Sequence, residues 1–212
     1  MHLRFTLMAA AAAILACGAP AQVIQFESNG LKYQTLSKTG LTVMFAHLPM
    51  QLRDYSAVQV GVSNGSNAAC TVKPEDFSFR REDGTMNYAL AAKDVVTQLL
   101  GRASRNDVSK LISTYEMSLS GIPRLHSTNG YEQRRQQALA EMSGTKLRAA
   151  AAASAIAFVS TKLEPGESTD GAVFFLTYGK PLGNGQLVVR TCGRIFEFQS
   201  LPSSSGKTLE QR

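Results

Sequence analysis

The chain has 212 residues, 44% of them hydrophobic and 18% charged, with 22 Lys and Arg against 16 Asp and Glu for a formal charge of +6. That balance excludes a chain too polar to fold, and basic residues that are scattered instead of blocked argue against a nucleic-acid-binding tail. After the first two dozen residues, no stretch is apolar for long enough to cross a bilayer as a helix.

The first predicted element is a leader. Met1-His2-Leu3-Arg4 is a short basic end, Phe5 to Ala16 is an apolar run too short to span a membrane, and Ala19-Pro20-Ala21 is a small-residue cleavage site. Together they make a secretory signal peptide over residues 1–21, cut between Ala21 and Gln22. Ile14-Leu15-Ala16-Cys17 can also be read as a lipobox, in which Cys17 would carry the lipid of an envelope-anchored protein. The expected location is therefore secreted or periplasmic, with lipid anchoring as the alternative. Removing 21 of 212 residues, Arg4 among them, leaves 191 with 21 basic and 16 acidic side chains, a net +5. That length suits one domain with one core, expected over residues 22–200.

From Val23 the pattern is β. Leu31 to Leu36 and Thr42 to Leu48 alternate as a hairpin around Ser37-Lys38-Thr39-Gly40. Tyr55 to Ser63 follows, with Val58, Val60 and Val62 inward and Gln59, Gly61 and Ser63 on the other side, closed by Asn64-Gly65. Thr71 to Phe79 is read as one strand with Pro74 marking an irregular start, and Asp83-Gly84 as a hairpin turn before Met86, Tyr88 and Leu90.

Near Ala91 the period changes from two to 3.6. Ala92, Val95, Val96, Leu99, Leu100 and Ala103 form the stripe of one helix, and Val108, Leu111, Ile112, Tyr115 and Leu119 that of a second. Asn129 to Glu132 has capping-box spacing for a third helix running to Met142, and Lys146 to about Ala155 is an Ala-rich fourth. The three or four helices are expected as an insertion over about 91–157, between strands, since a connection of that length folds on its own account. Phe158 to Leu163 should return the chain to the sheet. Pro165 and Gly166 then fit a type II turn over Glu164 to Glu167, and Ala172 to Tyr178 a core strand. Leu187 to Thr191 and Ile195 to Phe198 close the fold as a hairpin about Cys192-Gly193-Arg194, and residues 201–212 read as a disordered tail.

Chemistry-bearing groupings are sparse. Cys70 and Cys192 permit one disulfide in an exported protein, the alternative being two small half-buried thiols. His47, near a strand end, reads as a structural or surface histidine. His126 shares a loop with Arg124 and Asn129, which makes Arg124, His126 and Asn129 the candidate binding loop. No metal-ligand spacing, nucleophile elbow or phosphate loop is spelled out, so no catalytic residue, metal or cofactor is assigned. Arg134, Arg135, Lys146 and Arg148 could present a basic helical face, but export argues against nucleic acid as the partner.

Three segments carry a resemblance: Val58-Gln59-Val60-Gly61-Val62-Ser63-Asn64; Pro74-Glu75-Asp76-Phe77 running to Asp83-Gly84; and Leu163-Glu164-Pro165-Gly166-Glu167-Ser168 leading into Gly171-Ala172-Val173-Phe174-Phe175. In these the chain resembles the exported bacterial immunoglobulin-like β-sandwich domains of uncharacterised function. A Leu-x-Pro-Gly-Glu turn is also similar to one in a β-sandwich family of proteinase inhibitors. The resemblance implies an antiparallel immunoglobulin-like sandwich and a non-enzymatic, partner-binding role. The expectation is an interaction or structural module that meets another envelope or extracellular protein through its helical insertion. The alternative is an inhibitor or immunity-type protein that blocks an exported hydrolase.

Overall fold

The computed structural model describes residues 22–120, 130–140 and 144–199. Among the described residues the chain is mainly antiparallel β, with four helices between the seventh and eighth strands. Strands β1 (Ile24–Ser28), β2 (Leu31–Lys38), β3 (Leu41–Leu52) and β4 (Tyr55–Asn64) run as successive hairpins. β5 (Cys70–Val72), β6 (Phe77–Arg81) and β7 (Met86–Leu90) follow, then α1 (Ala92–Arg102), α2 (Arg105–Ser120), α3 (Tyr131–Ala140) and α4 (Thr145–Ile156). The described residues end with β8 (Thr161–Leu163), β9 (Ser168–Leu176), β10 (Gly185–Thr191) and β11 (Arg194–Gln199).

Nine strands form one sheet in the order β1-β2-β3-β4-β9-β7-β6-β10-β11, and β5 pairs with β8 apart from it. Between β9 and β7 only Ala89 with Phe175 and Leu90 with Phe174 are in register. At this short joint the sheet curls, so that β6, β10 and β11 come to face β2, β3, β4 and β9. Phe45 and Phe198 meet edge to face across the gap at 5.1 Å, as do Phe79 and Phe175 at 6.3 Å. The open seam is closed by side chains: Gln34 donates to the Gln199 carbonyl and Lys38 to that of Ile195.

Two cores result. Between the facing halves lie Val43, Phe45, Val58, Val60, Val62, Phe77, Phe79, Phe175, Val189 and Phe198. The other face of the first half, with Tyr33, Ala46, Leu48, Ala57, Ala172 and Phe174, lies under the helices with Val95, Leu99, Leu111 and the alanines of α4. The stripes expected for the first two helices thus include the buried apolar residues Val95, Leu99, Ala103 and Leu111, although Leu100 is exposed and α2 also buries Asp107 and Thr114, which lie outside the expected stripe. α4 touches α1, α2 and α3. Its residues Ala149 to Ala153, Ala155 and Ile156 are all buried, as a helix apolar on every side must be.

Four local readings change. β4 is buried on both faces, with Gln59 and Gly61 covered instead of open to water, because the helical layer seals the face that the alternation leaves polar. β3 runs past Pro49 to Leu52; its register shifts between His47 and Gln51, the kind of irregularity that admits a proline. The segment 71–79 is not one strand, because Pro74 opens a 3-10 turn over Pro74–Asp76 that separates β5 from β6. After α4 the chain does not re-enter the main sheet as a full strand: Phe158 N donates to the Ala172 carbonyl at 2.9 Å, and β8 pairs with β5.

Candidate functional site

The turn at Glu164 to Glu167 forms as its residues dictate. Gly166 has φ +87° and Glu167 N donates to the Glu164 carbonyl at 3.0 Å. Asn64, fully buried at the end of β4, fastens this turn. Its N–H donates to the Glu167 carbonyl, its carbonyl accepts from Gly166 N, and its side-chain amide donates to Leu163 and Ala68.

β5, the partner strand of β8, carries Cys70 opposite Leu163, beside this turn. Cys70 is bonded to Cys192, 122 positions away, with the Cα atoms 5.7 Å apart. Cys192 and Gly193, at φ +52° and +70°, make the two-residue turn that joins β10 to β11, a primed turn matched to strand twist. The bridge gathers cations that the sequence keeps apart. Lys73 stands three residues after one cysteine; Arg190 and Arg194 stand two residues either side of the other. With Thr71, Asp76 and Ile195 they line an open depression of about 480 Å³. Arg194 is fixed by bonds to the carbonyls of Thr39 (3.1 Å) and Cys192 (3.2 Å) and to the Thr39 hydroxyl. Lys73 and Arg190 form no ion pair with any described residue. A second open hollow, of about 510 Å³, is bordered by Arg80 and Gln186, which bond each other; Arg80 also pairs with Glu197 at 3.1 Å.

The helices are pinned to the sheet by charge. Ser104 and Asp107 form a reciprocal cap at the start of α2: Ser104 N and Oγ donate to Asp107 Oδ2 at 2.6 and 2.8 Å. Arg53, in the β3–β4 turn, donates to the same oxygen at 3.1 Å. Burial opposes ionisation of Asp107, but the Ser104 bonds and the Arg53 guanidinium outweigh it and hold the carboxyl below its usual range. Arg102 and Asp54 stand 4.0 Å apart at the same corner, and Arg135 pairs with Glu116 between α3 and α2. Beneath the helices, Gln59 Nε2 donates to the buried Asp170 carboxylate at 3.3 Å.

His47 is packed between the rings of Phe45 and Phe79, and burial lowers its pKa to about 4. The ring is half-buried and neutral at ordinary pH. Cys17, Ala21, Arg124, His126 and Asn129 lie outside the described residues, and Gln22 is exposed just before β1. Among the described residues no three His, Cys, Asp or Glu stand close enough to hold a metal ion, and no helix is long and apolar enough to cross a membrane. The depression beside the disulfide was not singled out from the sequence. Its only signal there is that each of its three cations lies within three residues of a cysteine. Comparison with models of known protein families, with curated proteins and with solved structures yields no match.

Proposed function

We propose that the chain is an exported, non-catalytic binding module, an immunoglobulin-like sandwich that carries a helical insertion and meets another envelope or extracellular protein through it. The observation that supports this reading is how the helices are mounted. They leave the sheet after Leu90, paired with Phe174, and return at Ala157, bridged to Ala172, so that both ends lie on one edge of β9 two residues apart. The β scaffold is continuous in space without them, and a unit appended to a rigid scaffold in this way is where recognition commonly resides. Charge follows the same division. Residues 91–157 hold nine Lys and Arg against five Asp and Glu, whereas the rest of the chain after residue 21 holds twelve against eleven. Lys93, Arg102, Arg105, Lys110, Lys146 and Arg148 are exposed on the helices, which suits an acidic protein surface. The disulfide accords with an oxidising compartment.

The test is photo-crosslinking in the producing cells, with the reactive side chain placed at exposed helix positions (Gln98, Gln133, Leu147) and at exposed sheet-side positions (Tyr88, Tyr178). One exported protein joined from the helix positions, and lost on Arg105→Glu with Lys110→Glu, is the expected result. Adducts from the sheet-side positions alone, or from none, overturn the reading.

A further inference from the structure

The structure assigns a phosphate-binding site to the depression beside the Cys70–Cys192 bond, with Lys73, Arg190 and Arg194 as its cationic groups. The site is independent of the helical face and of any partner bound there. Two chain segments supply it, and the disulfide holds them together. Cys70 fixes the start of the segment that carries Lys73, and Cys192 fixes the hairpin that presents Arg190 and Arg194. The lining holds three cations and one carboxylate, Asp76, an excess of two positive charges in one concave surface. Asp76 is itself engaged, accepting at Oδ2 from Lys73 N at 3.1 Å, which draws the carboxylate toward the chain that it caps.

An excess of two charges matches a phosphate dianion better than a single carboxylate. The planar fork of arginine also suits two oxygens of one tetrahedral group. Arg194 is pre-organised for the task. Three of its five N–H groups are spent on Thr39 and Cys192, which fixes the guanidinium and leaves one N–H on each terminal nitrogen. Lys73 and Arg190 supply the charge that no described carboxylate neutralises. Ile195, half exposed on the rim, offers an apolar contact to whatever carries the phosphate. The phosphate can be free or the headgroup of an anionic lipid, and the two sources share this recognition chemistry.

The oxidised full-length mature protein is titrated with inorganic phosphate while backbone amide shifts are followed. It is also sedimented with phosphatidylglycerol vesicles and with phosphatidylcholine vesicles. Saturable shifts confined to residues 71–76 and 190–195 are expected, with affinity reduced about tenfold or more in Lys73→Met with Arg190→Met, since both charged donors to the anion are lost. Both side chains make no described ion pair, so the variant should melt with the wild type and its loss of binding is not a loss of fold. Co-sedimentation with phosphatidylglycerol vesicles that the same variant abolishes identifies the lipid source; phosphate shifts without co-sedimentation identify the free ligand. Absence of both binding modes, or binding that the variant retains, overturns the assignment.

Discussion

His47 is enclosed by Phe45 and Phe79, and its ring pays for that position in proton affinity. With the folded pKa near 4 and an unfolded value of about 6.5, the unfolded chain takes up a proton through the intervening range while the folded chain does not. Stability is therefore unaffected above pH 6.5 and falls as the pH drops from 6.5 to 4, by about 3 kcal/mol in all. Asp107, whose folded pKa is depressed, acts in a lower window: its contribution is present above the unfolded carboxylate range and is lost as the pH falls through its folded value. Thermal melts of the wild type and His47→Gln between pH 7 and pH 4 separate the two groups. The variant should show a flatter decline over this range, and an unchanged slope would show that the ring does not govern it.

Among elements, the sequence spoke most plainly where a conformation is set by one or two residues. Gly166 and Asp83-Gly84 turn the chain as read, because positive φ and side-chain capping are local demands; Thr85 N and Oγ1 both donate to Asp83 Oδ1 at the second turn. The helical stripes led by Val95, Leu99 and Leu111 were legible for the same reason, since their period is intrinsic to the helix. Pairing was not. Nothing near β9 in the chain specifies β4 on one side and β7 on the other, and Gln59 carries no mark that a helix layer separated by thirty residues or more will cover it. Period two reports that a strand has two faces, but what lies over each depends on distant segments. The depression with Lys73 and Arg190 was hidden likewise, because its residues meet through a bond that spans most of the fold.

The crossing of the chain over Gly171 shows the same dependence in atoms. A Cβ at Gly171 would lie 2.6 Å from Phe158 Cα and 2.8 Å from Phe158 N, both backbone atoms that cannot swing aside. Gly171→Ala should destabilise by about 1–3 kcal/mol, the usual cost of overfilling a packed site. Hydrogen exchange at the Phe158 amide, which donates to Ala172, should quicken more than exchange at the amides of the β10–β11 hairpin. Equal protection in variant and wild type would mean that the crossing is looser than described.

At the scale of the whole molecule, the 122-residue separation between Cys70 and Cys192 encloses β6, β7, the helical layer, β8, β9 and all of β10 in one covalent loop. Closing a loop of that size removes enough freedom from the unfolded chain to be worth about 5 kcal/mol on the chain-entropy account. Cys70→Ser with Cys192→Ser, compared with the oxidised wild type by denaturant unfolding, should show a lower midpoint, an increased slope because the released chain exposes more surface, and an unfolding free energy smaller by about 5 kcal/mol. A midpoint equal to that of the wild type would refute a stabilising role for the bridge.

The two-residue gap along β9 between the points where the helical segment leaves and rejoins the sheet sets the ends of whatever is spliced there and not its length. A graft between Leu90 and Ala157 has to meet β9 only at Phe174 and Ala172. The constraint on such a graft comes from below: it must roof Tyr33, Ala57 and Phe174 and shelter Asp170 with its amide neighbour. The underside of the cap is thus answerable to the floor and its upper side to nothing in the chain itself, which leaves the outward surface free to diversify while the fold stays still.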